Sequence, residues 1–212
     1  GANLALPNKN DYNFSITIDY NKLKIIVYKI SAPAGTLRNI IKSFIVSTME
    51  VQREIKVTDL QAFSGSDNRL IDIFTLTDVE EKVIDNSIME VYKRNLSIAN
   101  QSEFIDKELV LTKTNKELDE IIHSFEFHKM DIIKDDKEFT ELKVYNLYQL
   151  NSILYSILSS LYLINIQDAK IYKEDDKFIY SFYLDIQEAR KLNLTRFKKD
   201  VIENFNRNIK EL

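Results

Sequence analysis

The side chains that could do acid, base or metal chemistry are few in this sequence and form no recognisable site. The two histidines, His123 and His128, are five residues apart. Along one predicted strand they would point to opposite faces of the sheet, which a shared metal ion cannot use. The chain has no cysteine, so it offers no thiolate nucleophile and no zinc thiolate. We therefore predict no metal site.

Two acidic pairs, Asp135-Asp136 and Asp175-Asp176, resemble paired catalytic carboxylates only in their spacing. Each lies beside lysines at a predicted hairpin tip, where Asp favours the turn and its charge keeps the tip solvated. No P-loop, dinucleotide-binding, nucleophile-elbow or zinc-protease motif occurs. We predict no catalytic residue, no cofactor and no small-molecule substrate, and hence a protein that is not an enzyme. An enzyme with an unrecognised site stays open as an alternative.

Composition indicates a globular domain that does not bind nucleic acid. Of the 212 residues, 44% are hydrophobic, and the formal net charge is −4. A nucleic-acid surface would need a basic patch, and the chain has no run of lysines or arginines. The first residues, Gly1-Ala2, lack a methionine, which predicts that the natural chain continues upstream.

The first third of the chain has the pattern of a ββαββ unit. Apolar and polar residues alternate over 14–30 on both sides of Tyr20-Asn21-Lys22, which predicts a hairpin. Thr36 is the predicted N-cap of a helix over 37–51, where apolar residues recur at helical spacing. A second predicted hairpin follows over 53–76, around the turn SGSDN.

The rest of the chain is predicted to be a helical connector followed by the same pattern. Helical spacing starts near Thr77-x-x-Glu80, and Thr114-x-x-Glu117 is a second possible capping box. The predicted parts are a first ββαββ unit at 1–78, a helical connector at 79–122, and a second ββαββ unit with a C-terminal helix at 123–212. The apolar face of that last helix comprises Phe197, Val201, Phe205, Ile209 and Leu212.

The two units keep the same apolar phase at a separation of about 109 residues. Aligning IKVTDLQAF with INIQDAKIY places Val57 on Ile166, and a one-residue difference in the next turn then places Phe74 on Phe182. This pattern predicts a duplicated unit. We expect two antiparallel sheets, each backed by one long helix and related by an approximate rotation.

The segment YNLYQLNSILYSILSSLYLINI, at 145–166, has no charge, although 29% of the chain is charged. It could be a membrane span, a core helix, or a helix whose outer face is covered by a partner. A span needs about 20 predominantly apolar residues, and Gln149, Asn151, Asn165 and four serines disfavour that. Residues predicted to pack on a sheet are Leu147, Leu150, Leu154, Ile157, Leu158 and Leu161.

The outer face of this helix is predicted to carry tyrosine and serine where a solvated face would carry lysine and glutamate. Aromatic residues without charges are typical of interface cores. Two explanations stay open: the C-terminal helix or the connector covers this face, or another chain does. The candidate interaction surface consists of Tyr148, Tyr155, Tyr162, Ser152 and Ser159.

The second unit resembles the extracytoplasmic domain of type IV pilus assembly proteins of the PilO and PilN kind, and of their type II secretion relatives. The resemblance rests on a coiled segment running into SFEF, a hairpin ending in ELKVYNLYQLNSILYSI, and LINIQDAKIYKEDDKFIYSFYLDI. It covers about 118–186, with a weaker echo in 14–78, and has no diagnostic residue motif. It implies ferredoxin-like units. Two full units, each with a ββ lead-in, depart from the simplest family layout.

The resemblance implies a non-enzymatic scaffold that forms homo- or heterodimers and links parts of a pilus or secretion machine. It also implies a location at the extracytoplasmic face of the cell membrane, with attachment only through an N-terminal segment upstream of residue 1. The alternative is a cytoplasmic adaptor or peptide-binding module. An apolar span of about 20 residues upstream of residue 1 would distinguish the first from the second.

Overall fold

The structure, a computed structural model, describes residues 13–30, 32–64, 69–105, 109, 111–113, 115–207 and 209–211. The strands are β1 (Asn13–Asp19), β2 (Lys22–Lys29), β3 (Ile55–Ser64), β4 (Leu70–Asp78), β5 (Leu111–Lys113), β6 (Glu126–Lys134), β7 (Lys137–Asn146), β8 (Ile166–Glu174), β9 (Lys177–Asp185) and β10 (Ile209–Glu211). The helices are α1 (Thr36–Val51), α2 (Asn86–Ser97), α3 (Ser102–Ile105), α4 (Asn115–Ser124), α5 (Asn151–Ser160), α6 (Ile186–Ala189) and α7 (Leu194–Arg207).

The fold is α+β, as predicted, with one large antiparallel sheet. Its eight strands lie in the order β1-β2-β4-β3-β8-β9-β7-β6, so the four predicted hairpins all form. The expectation of two separate sheets is wrong, because β3 and β8 pair with each other and join all the strands into one sheet. For convenience, the strands β1 to β4 are called the first half and β6 to β9 the second half.

The joint between the halves is short and is reinforced by side chains. β3 and β8 share three residue pairs, and the central pair is Ala62 with Ala169. Both alanines are buried and belong to the same core as α1 and α5. Away from this pairing, Asn151 accepts a hydrogen bond from Val57 N at 2.8 Å and donates to the Ile55 carbonyl at 3.1 Å.

The register of each half shifts at one place next to the joint. In the β3–β4 pair the shift falls between Val57 and Asp59, and in the β8–β9 pair it falls between Ile166 and Asp168. An extra residue in one strand produces such a shift and increases the local twist. The two shifts fall at the positions that the alignment of IKVTDLQAF with INIQDAKIY pairs.

The helices α2, α1, α5 and α7 lie in that order over one face of the sheet. Tyr92 of α2 hydrogen-bonds Thr48 of α1 at 2.8 Å. On the far side, Asn204 of α7 donates to Ser160 of α5 at 2.9 Å. All four helices contribute to one core with the strands. Its largest fully buried members include Tyr92, Tyr180, Phe44, Phe74, Phe182, Phe197 and Phe205.

The uncharged segment 145–166 is not one long helix. It contains the end of β7, a ten-residue helix α5, a turn, and the first residue of β8. The residues of α5 from Ser152 to Leu158 are all buried, because the sheet lies below the helix while α1 and α7 lie on either side. A helix in the middle of this layer has no solvated face, so a charge there would be buried without water. Leu147 of the predicted leucine stripe is 46% exposed.

Several predicted helix boundaries are corrected by the structure. α1 is capped by Gly35, in the left-handed conformation, and Thr36 is its first residue. Thr77 lies in β4, and α2 starts after Asp85, whose carboxylate accepts from Ile88 N at 3.1 Å. The second predicted cap, Thr114, lies outside the described residues, as do 65–68 of the SGSDN turn.

The C-terminal helix is shorter than predicted. α7 ends at Arg207, with Phe197, Val201 and Phe205 buried as predicted. Residues 209–211 form β10, which pairs in parallel with β5, and residue 212 lies outside the described part. The predicted connector 79–122 contains α2, α3, β5 and part of α4. Among the described residues, no helix is long and apolar enough to cross a membrane.

Candidate functional site

The predicted tyrosine surface on α5 is not a single open surface. Tyr155 is only 4% exposed, and Ser152 is also buried. Tyr148 is half-buried, and its hydroxyl donates to the Glu120 carboxylate of α4. Tyr162, in the turn after α5, is 51% exposed. Of the two elements predicted to cover this face, the connector contacts Tyr148 through Glu120. Tyr155 is covered within the chain too, but by α1 and not by the connector or the C-terminal helix. Tyr162 keeps an exposed side.

Arg38 of α1 is the residue that covers Tyr155. Its guanidinium donates to the Tyr155 hydroxyl and to the Ser159 hydroxyl, each at 3.1 Å. The same group lies 5.3 Å from the Tyr155 ring centroid and 5.4 Å from that of Tyr162. Tyr162 also lies against Gly35, where a Cβ atom would come within 3.1 Å of its ring. These tyrosines thus join α5 to the start of α1.

The histidines and acidic pairs do not converge on a catalytic site. His123 lies in α4, and its Nδ1 is 2.7 Å from the Asp119 carbonyl, so its predicted place on a strand is wrong. His128 lies in β6, edge-on to the Tyr145 ring. Both acidic pairs lie at hairpin tips, as predicted. In the described part of the chain, no three acidic or histidine side chains are grouped to hold a metal ion.

The face of the sheet opposite the helices is here called the uncovered face. Core residues alternate along each strand with residues that point to this face. The strand registers place one row of these residues across all eight strands. That row consists of Asn13, Tyr28, Ile71, Phe63, Asp168, Tyr183, Glu141 and Met130.

The first half of the uncovered face carries an apolar patch. Ile26 is 39% exposed, Ile71 is 44% exposed and Phe63 is 47% exposed. Tyr28 lies opposite Ile71, and Ile73 lies opposite Ile26, so the five side chains are neighbours over β2, β4 and β3. A contiguous exposed apolar group of this kind marks an interaction surface more often than an isolated exposed side chain does.

The second half of the uncovered face combines tyrosines and charged residues with a few apolar side chains, of which Met130 is 60% exposed. Tyr145 and Tyr172 both lie opposite Ile179, which is fully buried on this face. Lys143 lies 3.1 Å from the Glu141 carboxylate, and this hydrogen bond raises the pKa of Lys143 to about 12. The surface is amphipathic, because lysine ammonium groups lie over the Tyr183 and Tyr172 rings.

A small depression lies in this second half, with a volume of about 30 Å³. It is lined by Lys134, Asp168, Ala169, Lys170, Ser181 and Tyr183. The Ser181 hydroxyl is buried and has no hydrogen-bond partner among the described residues. Burial raises the pKa of the Asp168 carboxyl, while the charges of Lys134 and Lys170 act in the opposite direction.

The uncovered face was not predicted from the sequence, although one signal for it is present. In β4, Leu70, Phe74 and Leu76 point to the helices, while Ile71 and Ile73 point to the other face. A strand that is apolar on both faces is typical of strands covered on both sides. Here the second apolar face is exposed at Ile71.

Compared with known proteins, the chain matches no protein-family model, and no curated protein matches it significantly in sequence.

Proposed function

We propose that this chain is a non-enzymatic scaffold protein that binds another protein chain through the uncovered face of its sheet. The observation that carries the proposal is the patch of Ile26, Phe63 and Ile71, which lies over three adjacent strands on the face away from the helices. Burying apolar area of this kind stabilises association. The proposed occupant is a second copy of the chain or a related chain.

Two further properties of the uncovered face support protein binding. Its side chains are held on strands whose other face packs into the core, so little conformational entropy is lost on binding. Tyr28 and Phe63 in the first half and Tyr145, Tyr172 and Tyr183 in the second belong to the residue types enriched in interface cores.

The finer assignment is to an assembly protein of a type IV pilus or type II secretion machine, located at the extracytoplasmic face of the cell membrane. It rests on the resemblance of 118–186 to proteins of the PilO and PilN kind. A duplicated, ferredoxin-like ββαββ unit belongs to the same proposal. The matching register shifts at Val57/Asp59 and Ile166/Asp168 support the duplication.

The experiment that tests the proposed surface compares oligomeric states in solution by sedimentation velocity over a range of concentrations. The double variant Ile26→Thr/Ile71→Thr keeps β-branched residues on the strands but removes exposed apolar area. We expect the unmodified chain to dimerise and the double variant to dissociate at least tenfold more readily. The matched control is Val83→Thr, at an apolar residue that is 55% exposed and lies outside the strands.

Equal self-association of all three proteins would place the interface elsewhere. A chain that stays monomeric at every concentration would contradict self-association. The test would then move to a heterodimer with the partner chain that the assembly proposal requires.

A second candidate function, peptide binding, is favoured by the edge strand β1. One side of β1 pairs with β2, and no described strand pairs with its other side. Its sequence, NFSITID, has one charge, at its last residue, and no proline. Edge strands without such protection accept an added strand. Protection of the β1 amides from hydrogen exchange on adding a partner peptide would support this function over the first.

A further inference from the structure

Three residues with hydrogen-bond donors line the depression in the second half of the uncovered face. Ser181 offers a buried hydroxyl that has no partner in the described part of the chain. Lys134 and Lys170 line the same depression. Their ammonium groups lie over the Tyr183 and Tyr172 rings, at 5.0 Å and 5.1 Å from the centroids, and neither forms an ion pair with a described residue.

The charge balance of the depression favours a ligand with negatively charged oxygen atoms. Asp168 is the one carboxylate that lines it, against two lysines. Lys143, which lies opposite Ser181 in the sheet, is already bonded to Glu141. A buried hydroxyl without a partner carries an energetic cost that a ligand acceptor would remove. A cation or an apolar group would leave the Ser181 hydroxyl without an acceptor and would not offset the charge of the two exposed lysines.

We propose that the depression formed by Lys134, Lys170 and Ser181 is a binding site for an oxyanion group, a carboxylate or a phosphate. In this arrangement the Ser181 hydroxyl and the two ammonium groups donate hydrogen bonds to the oxygen atoms of the ligand. The volume of about 30 Å³ accommodates one or two oxygen atoms, and the rest of the ligand lies on the surface beside Tyr183.

Two sources of such a group are a free phosphate and an acidic side chain of a protein. The site does not rest on the proposed function, since a free anion would fill it without a partner chain. The probes are therefore inorganic phosphate and a hexaglutamate peptide, each titrated into the isotope-labelled protein at constant ionic strength. Constant ionic strength separates binding from screening of exposed charges.

We expect saturable changes in the amide resonances of Asp168, Lys170 and Ser181. Tighter binding of the peptide than of phosphate assigns the site to a protein carboxylate, and the reverse assigns it to a free anion. The double variant Lys134→Gln/Lys170→Gln should weaken binding at least about tenfold, because it removes two charged donors. Ser181→Ala should weaken it about fivefold. Lys24→Gln, on the first half of the same face, is the matched control and should change nothing.

Asp168→Asn gives the sharpest test of the ligand class. Removing a carboxylate from the edge of an oxyanion site should tighten binding at least about fivefold, since one repulsive charge is lost. If Asp168→Asn weakens binding instead, the ligand donates a proton to Asp168 and the oxyanion proposal is wrong. Changes that do not saturate with either probe, or that the Lys24→Gln variant also loses, would overturn the site itself. Thermal melting of each variant confirms that it is folded.

Discussion

The two halves of the sheet place very different polar groups at one position in the core. Tyr180 in β9 and Asp72 in β4 each lie two residues before a buried phenylalanine and face the helices. The Tyr180 hydroxyl accepts from Leu150 N at 3.0 Å and donates to the Tyr148 carbonyl at 2.9 Å. Both carboxylate oxygens of Asp72 are buried without a partner among the described residues.

The difference follows from how each half builds the loop before its first long helix. In the second half, Tyr180 holds the backbone before α5 in place. In the first half, the turn before α1 closes on itself, because Thr36 donates to the Pro33 carbonyl at 2.7 Å and Gly35 takes the left-handed conformation. Asp72 is not used in that turn, so burial alone acts on it and raises the pKa of its carboxyl. The two halves therefore share one arrangement of strands and helix, although the Tyr180 hydroxyl has hydrogen-bond partners and the Asp72 carboxylate has none among the described residues.

The largest predicted loss of stability tests whether the long helices of the two halves pack on the sheet in equivalent positions. Ile45 of α1 and Leu154 of α5 occupy aligned positions and are both buried. We expect Ile45→Ala and Leu154→Ala each to lower the free energy of unfolding by about 2–5 kcal/mol, because each leaves a cavity. Denaturant titration measures both. Leu163→Ala, at a residue that is 77% exposed, should stay within about 0.5 kcal/mol of the unmodified chain.

The second prediction concerns Asp72 and pH. The pKa of this carboxyl is raised in the folded state above its ordinary value of 3.8, so the folded state binds the proton more tightly than the unfolded state does. The resulting stabilisation of the folded state is complete at pH values below 3.8. It is lost as the pH rises towards the folded pKa. We expect Asp72→Asn to be more stable than the unmodified chain at neutral pH. The difference should grow by about 1.4 kcal/mol per pH unit between the two pKa values.

Unfolding free energies measured from pH 3 to pH 8 would check this difference. Asp59→Asn is the control, because Asp59 is exposed on the uncovered face of β3, and this substitution should change the unfolding free energy by no more than about 0.5 kcal/mol. An Asp72→Asn variant whose stability difference does not change with pH would show that Asp72 has a partner in solution.

Much of the fold was predictable because it depends on local patterns. Alternation gave the four hairpins, and the spacing of Phe197, Val201 and Phe205 gave the buried face of α7. The joining of β3 to β8 was not predictable, because it is a backbone pairing between residues 105 to 109 positions apart, and only Ala62 and Ala169 mark it. Side-chain periodicity does not specify which edge strands meet.

The candidate surface was less predictable than the fold. The missing charges of α5 indicated correctly that this helix is covered, but they do not say by what. In the structure Arg38, 117 residues away from Tyr155 in sequence, covers that tyrosine. The uncovered face could be inferred only after the helices were known to lie on one side, since Ile71 and Ile73 alone fit a strand buried on both faces.

The third prediction removes the hydroxyl that distinguishes the second half. Tyr180→Phe keeps the ring but leaves Leu150 N and the Tyr148 carbonyl without their partner. We expect a loss of about 1–3 kcal/mol in unfolding free energy, the cost of buried groups left unpaired. Tyr183→Phe, on the uncovered face of the same strand, is the control. Equal, small losses for both variants would mean that water replaces the Tyr180 hydroxyl.

The smallest predicted effect lies at the contact that joins the two halves through their helices. In a double-mutant cycle, Arg38→Met and Tyr155→Phe each remove one side of the 3.1 Å hydrogen bond between α1 and α5. We expect a coupling energy of about 0.5–1.5 kcal/mol, because the bond is charge-assisted but only partly buried. A coupling below about 0.3 kcal/mol would show that this hydrogen bond contributes nothing measurable to holding the two halves together.

The contact of Arg38 with Tyr155 also bears on which tyrosines of the predicted interaction surface are free to meet another chain. Tyr155→Glu should destabilise the fold, because it buries a carboxylate where Tyr155 is 4% exposed. Tyr162→Glu should leave the fold intact, since Tyr162 is half-exposed and a carboxylate there stays hydrated while Arg38 lies close by. Thermal melting separates these two outcomes, and sedimentation of Tyr162→Glu then tests whether its exposed side meets another chain. Unchanged self-association in Tyr162→Glu, together with its loss in Ile26→Thr/Ile71→Thr, would assign the interface to the uncovered face and not to α5.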